Sequence, residues 1–160
     1  MGNKSVLVAI WLIACLPLPA LAGPAEDFST ALHNQNVLAM EQALAKGAPV
    51  DHFEGGLTPL MVAAALGRTD LVKLFLDHGA NPNLHADASM EGMTAIHAAA
   101  GIGAVDVVSL LIDRGAPVES TDLLGLTPIS VASSQGKTRL VALLYARGAN
   151  VNATVRRQKF

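Results

Sequence analysis

The chain has 160 residues, enough for one ordinary domain, and 51% of them are hydrophobic while only 4% are aromatic. A core must therefore be built from Leu, Val and Ala, and the many small alanines point to closely approaching helices rather than a sandwich or barrel. A formal net charge of −2 is too near neutral for a nucleic-acid binder.

The first 22 residues stand apart. Lys4 gives a positive start, Val6 to Leu16 is a nearly unbroken apolar run, and Pro17 and Pro19 break it. Ala20-Leu21-Ala22 then supplies small residues before Gly23. This is the layout of a cleavable secretory signal, too short for an ordinary membrane span, and it predicts export to the periplasm with cleavage after Ala22 and no stable membrane insertion afterwards. An alternative is a lipoprotein anchored at Cys15, because Leu12-Ile13-Ala14-Cys15 resembles a lipobox; the stretch after it stays apolar where a lipoprotein turns polar. Cleavage after Ala22 would remove Cys15, the only cysteine, and with it disulfides and thiol catalysis. Without Lys4, ten Lys and Arg would face thirteen Asp and Glu, a net charge of −3.

From residue 25 the chain repeats itself. GLTPLMVAAALG at 56–67 returns as GMTAIHAAAGIG at 92–103 and GLTPISVASSQG at 125–136. Glycines at 47, 79, 115 and 148 follow apolar helical patterns at intervals of 32, 36 and 33 residues, the period of a stacked array. Within a unit, Thr58 and Thr127 are placed to cap a helix, with Pro59 and Pro128 at the first helical position, where the missing N–H costs nothing. Ala63-Ala64 and Ala99-Ala100 keep that helix slim, and Gly67, Gly103 and Gly136 end it. A second helix follows with a near-continuous apolar band, such as Leu71, Val72, Leu74, Phe75 and Leu76, before Gly79, Gly115 or Gly148 stops it.

These units resemble the ankyrin repeat, a helix–turn–helix of about 33 residues opening T-P-L-H-x-A. The resemblance rests on TPLMVAAALG, TAIHAAAGIG and TPISVASSQG with the endings DHGANPN, DRGAPVE and ARGANVN. The segment AEDFSTALHNQNVLAMEQALAKGAPVD is similar to a degenerate first copy that lacks the Thr-Pro opening. The expected fold is an all-α solenoid of about four repeats, 25–51, 52–83, 84–119 and 120–152, in a domain spanning 23–152, followed by a basic tail, 153–160. Copy three carries Ala95 where Pro is usual and three extra residues in LHADASMEG, which predict an enlarged hairpin tip. Copy four is expected to act as the cap, with Ser134, Gln135, Lys137 and Arg139 as polar surface.

Catalytic constellations are scarce. His97 occupies the repeat's own His position, where the family uses the ring to bond adjacent backbone. His85, Asp87 and Glu91 share the long loop and form the one set suited to a metal-dependent enzyme, but without cysteine or a fixed helical spacing. No G-x-S-x-G elbow or phosphate-binding glycine loop occurs. No catalysis, cofactor or metal is expected.

Ankyrin arrays expose a concave face of hairpin tips and first-helix sides, and its positions vary. Carried across, the resemblance exposes Glu54, Gly55, Leu57, Ala65 and Leu66 in copy two. In copy three the positions are Met90, Glu91, Met93, Gly101 and Ile102; in copy four they are Leu123, Leu124, Leu126, Ser134 and Gln135. The larger ones are mostly apolar, and a contiguous apolar patch marks an interaction site. A protein partner is therefore expected on Leu57, Leu66, Met90, Met93, Ile102, Leu123, Leu124, Leu126 and Gln135. Burial between hairpins, homodimerisation or cover by the tail remain open alternatives. Exported bacterial proteins similar to this chain are scaffolds or inhibitors, which implies either an accessory role in periplasmic peroxide defence or an immunity protein against a delivered toxin.

Overall fold

The computed structural model describes residues 24–152, so the expected signal segment, its cleavage site, Cys15 and the basic tail all lie outside the described residues. Among these residues eight α-helices follow one another in four pairs. They are α1 (Pro24–His33) with α2 (Val37–Ala45), α3 (Pro59–Ala65) with α4 (Thr69–Asp77), α5 (Ala95–Ile102) with α6 (Val105–Asp113), and α7 (Pro128–Ser134) with α8 (Thr138–Ala146). From the second pair on, first helices stack on first helices and second on second: α3 on α5 on α7, and α4 on α6 on α8. Among the described residues no helix is long and apolar enough to cross a membrane.

Each helix is short and depends on packing against its neighbours, and caps at the helix ends add to that stability. Thr58 has extended backbone and its Oγ1 accepts the Met61 amide at 3.3 Å, while Pro59 fills the next position. Thr127 repeats the arrangement on the Ser130 amide at 3.4 Å, with the Ser130 hydroxyl accepting the Thr127 amide at 2.9 Å. Second helices end in a left-handed glycine. Gly79 has φ +86°, its amide reaches the Leu76 carbonyl, and the next amide, that of Ala80, bonds the Phe75 carbonyl at 2.9 Å. A Cβ at Gly79 would meet nothing within 4 Å, so the demand there is for backbone conformation rather than space.

Alanines let the helices approach as the composition requires. Ala63, Ala64, Ala99, Ala100 and Ala132 are fully buried between neighbours, alongside Leu60, Ile96, Ile129, Val72, Val108, Leu111 and Leu144. The first unit joins this core through Phe28, whose ring meets that of Phe75 edge-on at 5.8 Å and 76°. Fully burying a side chain of this kind is worth about 1.5–3 kcal/mol, and alanine replacements in such a core cost more because cavities remain.

The three extra residues of the third unit form a 3-10 turn, Ala88–Met90, at the hairpin tip, followed by Glu91 at φ +58° and Gly92 at φ +60°. Outside the core, an ion-pair ladder runs along the second helices. Arg114 donates to Asp77 at 2.8 Å and Arg147 to Asp113 at 2.7 Å, each reaching back one unit. Lys73 and Arg114 together hold the Asp77 carboxyl below its usual range. Arg68 draws Asp70 down to about 2 by a two-pronged contact.

Candidate partner-binding face

The hairpins that join the units form one edge of the array. In each, the amide of a tip residue closes on the carbonyl just before the helix-starting Thr: Glu54 on Leu57 at 2.9 Å, Ala86 on Met93 at 2.8 Å, Asp122 on Leu126 at 3.1 Å. Successive hairpins then stitch together, with the Asp87 amide on the Gly56 carbonyl at 3.0 Å and the Leu123 amide on the Glu91 carbonyl at 2.9 Å. Gly92 makes the second approach possible, since a Cβ there would come within 2.7 Å of the Leu123 side chain.

This stitching sorts the expected face. Leu123 stays 67% exposed even though one flank rests on Gly92, Leu124 is 50% exposed and Leu66 is 42% exposed. Gln135 is exposed, and Met90, Ile102 and Leu126 are half-buried. Two expected contact residues are not on the surface: Leu57 is 2% exposed and Met93 is 9% exposed. Ala65 is buried as well. Leu57 and Met93 stand directly before the capping Thr of their helices, and the hairpin closure through their own carbonyls leaves their side chains in the core with Leu60 and Ile96. The face is thus narrower than the repeat pattern suggests, and it thickens at the third hairpin, which leads into the fourth unit.

Phe53 is an exposed apolar residue that the pattern did not single out. Counted back from the capping Thr, it stands where the fourth unit has Asp122, whose Oδ1 accepts the Leu124 and Leu126 amides at 2.9 and 2.8 Å. A phenyl ring cannot make that turn bond, so an aromatic in place of a turn carboxylate was the available signal.

His97 is 4% exposed and fully engaged. Its Nδ1 accepts from the Thr94 hydroxyl at 2.9 Å and the Thr94 amide at 3.3 Å, and its Nε2–H donates to the Leu126 carbonyl at 3.0 Å. Burial lowers its pKa, so the neutral ring serves as a strut between the third and fourth units. The long-loop set is not gathered into a metal centre. His85 spends Nδ1–H on the Gly92 carbonyl at 2.9 Å, and no three His, Cys, Asp or Glu among the described residues are grouped to hold an ion.

Stacked helix pairs with variable residues along one edge define a repeat scaffold of the kind that binds other macromolecules. Comparison with known proteins agrees: a model described as "Ankyrin repeats (3 copies)" matches residues 83–155, and one described as "Ankyrin repeat" matches residues 55–87. The chain belongs to the ankyrin-repeat proteins, and at that level it is a protein-binding module. The first unit lies before both matched spans, and its place in the array rests on α1, α2 and the Phe28–Phe75 contact. Relatives include "Ankyrin repeat, SAM and basic leucine zipper domain-containing protein 1" from Carollia perspicillata and Ovis aries, each 40% identical over 63 residues, 39% of this chain. The protein of that name from Equus caballus is 40% identical over 72 residues, 44% of this chain. The chain spans only 13% to 15% of the length of these relatives, which are eukaryotic.

Proposed function

We propose that this chain is a non-catalytic adaptor that docks one protein partner on the exposed edge formed by Leu66, Met90, Ile102, Leu123 and Leu124. The observation that carries the reading is the adjacent pair Leu123-Leu124, 67% and 50% exposed at a hairpin whose backbone is held by Asp122 and by the neighbouring hairpin. Two leucines held half or more exposed forgo part of the burial, worth about 1.5–3 kcal/mol for a whole side chain, and docking would recover some of it. His97 and the capping threonines are committed to the scaffold, which leaves the apolar edge as the chemistry on offer.

The setting we propose is the periplasm, reached through the Lys4-to-Ala22 signal, and this rests on the N-terminal sequence alone. Affinity capture from a periplasmic extract tests both parts. The bait is Gly23–Phe160 beside Leu124→Glu and Leu123→Glu/Leu124→Glu forms, with thermal melts to confirm folding and mass spectrometry to identify what is retained. A protein held by the native form and released by both variants is expected. A captured nuclease or pore-forming toxin would assign an immunity role; a captured catalase would assign peroxide defence. If folded native and variant baits retain the same proteins, the edge is not the docking site.

A further inference from the structure

The charge around the exposed leucines is one-sided. Hairpin segments 49–57, 80–93 and 116–126 carry six carboxylates, Asp51, Glu54, Asp87, Glu91, Glu119 and Asp122, and no Lys or Arg. Every described Lys and Arg lies in a helix or in the turns flanking one. Their ion pairs go to Asp27, Asp70, Asp77 and Asp113, none of which is in a hairpin. Four hairpin carboxylates have internal duties. Asp51 and Glu119 accept the Asn81 and Asn150 amides, Asp122 accepts two amides of its own turn, and Glu54 accepts the Ser29 hydroxyl. Asp87 and Glu91 are exposed and make no side-chain hydrogen bond or ion pair among the described residues.

Of these two unspent carboxylates, Glu91 adjoins Leu123 through the backbone, while the Asp87 side chain lies over Gly56 at the preceding hairpin. The Leu123 amide bonds the Glu91 carbonyl at 2.9 Å, the Leu123 side chain lies over Gly92, and the Met90 amide bonds the Asp87 carbonyl at 2.8 Å. An apolar anchor beside unneutralised negative charge attracts a cationic segment and repels an acidic one. We propose that the segment that docks on the Leu123-Leu124 edge is basic, with an apolar side chain seated on the leucines and Lys or Arg facing Asp87 and Glu91. This rests on the docking reading above and adds the chemistry of the partner.

The test is fluorescence polarisation of Gly23–Phe160 with a labelled hexapeptide, Lys-Leu-Leu-Arg-Leu-Lys, beside a counterpart with Glu at its three basic positions. Three variants accompany the native chain: Asp87→Lys/Glu91→Lys on the edge, Leu123→Ser/Leu124→Ser on the anchor, and Asp106→Lys, which reverses an exposed charge in the first turn of α6. The basic peptide should bind at least ~10-fold tighter than the acidic one, and the edge charge reversal should weaken it by about 10-fold. Asp106→Lys should leave the affinity within about 2-fold, and the Leu→Ser pair should abolish binding with the melt preserved. Equal binding of the two peptides, or an Asp106→Lys effect as large as that of the edge variant, overturns the proposal. A tenfold gain on ending the chain at Asn152 also overturns it, by seating this chain's own Arg156, Arg157 and Lys159 there instead of a partner. A partner whose capture depends on the leucines but ignores Asp87→Lys/Glu91→Lys would leave docking standing and remove only the basic assignment.

Discussion

The junction between the third and fourth units and the junction between the first and second handle the same topological task with different chemistry. At the former, His97 links Thr94 to the Leu126 carbonyl with both ring nitrogens, and Arg147 reaches back to Asp113 and to Ser109 at 2.9 Å. At the latter, Ser29 stands at the His97 position and its hydroxyl reaches Glu54 at 3.0 Å. His33 is 3.7 Å from the same carboxylate through Nδ1, and both its ring nitrogens are buried without a hydrogen-bond partner. The ladder is broken there too: Ala45 stands where an aspartate would be, and His78 turns its Nδ1–H to the Leu74 carbonyl of its own helix instead. Apolar contact, chiefly Phe28 on Phe75, therefore has the larger share in holding the first unit, whereas directed polar bonds supplement the core further along. In a solenoid, where each unit touches only its neighbours, such differences stay local.

The strongest way to break this comparison is Phe28→Ala. It should cost about 3–5 kcal/mol, with amide exchange rising across 24–45 while 95–146 keep their protection. Uniform loss of protection would mean that the array opens as a single unit and that the junctions are not independent.

His97→Ala should cost about 1–3 kcal/mol, because the Leu126 carbonyl loses its inter-unit donor and Thr94 its acceptor. It should also change the pH profile. Burial lowers the folded pKa of His97 below 6.5, so the unfolded chain takes up a proton that the folded chain refuses. Its contribution is complete above pH 6.5 and declines as pH falls below that value. Urea midpoints at pH 8 and 5.5 should accordingly differ more for the native chain than for His97→Ala, and equal differences would remove His97 as the cause.

Arg147→Ala is expected to cost less, about 0.2–1 kcal/mol, because the pair it forms with Asp113 is largely solvated. The loss should shrink in 0.5 M salt; a salt-independent loss would point to packing of the Arg147 stem. The smallest effect belongs to His33→Leu, expected within about 1 kcal/mol of the native chain or above it, since it removes two buried nitrogens that lack partners. A loss beyond about 2 kcal/mol would show that the His33–Glu54 approach stabilises the first junction.

Much of this organisation was legible along the chain. Period, caps, stop glycines and the strut role of His97 all depend on neighbours within one unit or on a motif that recurs, and such local chemistry leaves marks at fixed spacing. The fourth-unit leucines were legible for the same reason, being two apolar residues in a turn. Leu57 and Met93 were not, because the same residue type precedes the capping Thr whether its side chain turns outward or inward. Their burial follows from how far each hairpin folds over its own helix.

Sequence alone therefore determined the all-α repeat class and, in the three later units, the threonines that open the first helices and the glycines that close the helices, because short-range sterics and hydrogen bonding decide them. Tertiary structure alone decided which variable positions are surface, that Leu123 rests on Gly92, and that Arg114 and Arg147 reach back across units. Those facts arise between residues about thirty positions apart, where the stacking distance of the units, rather than the spacing of letters, sets what can touch.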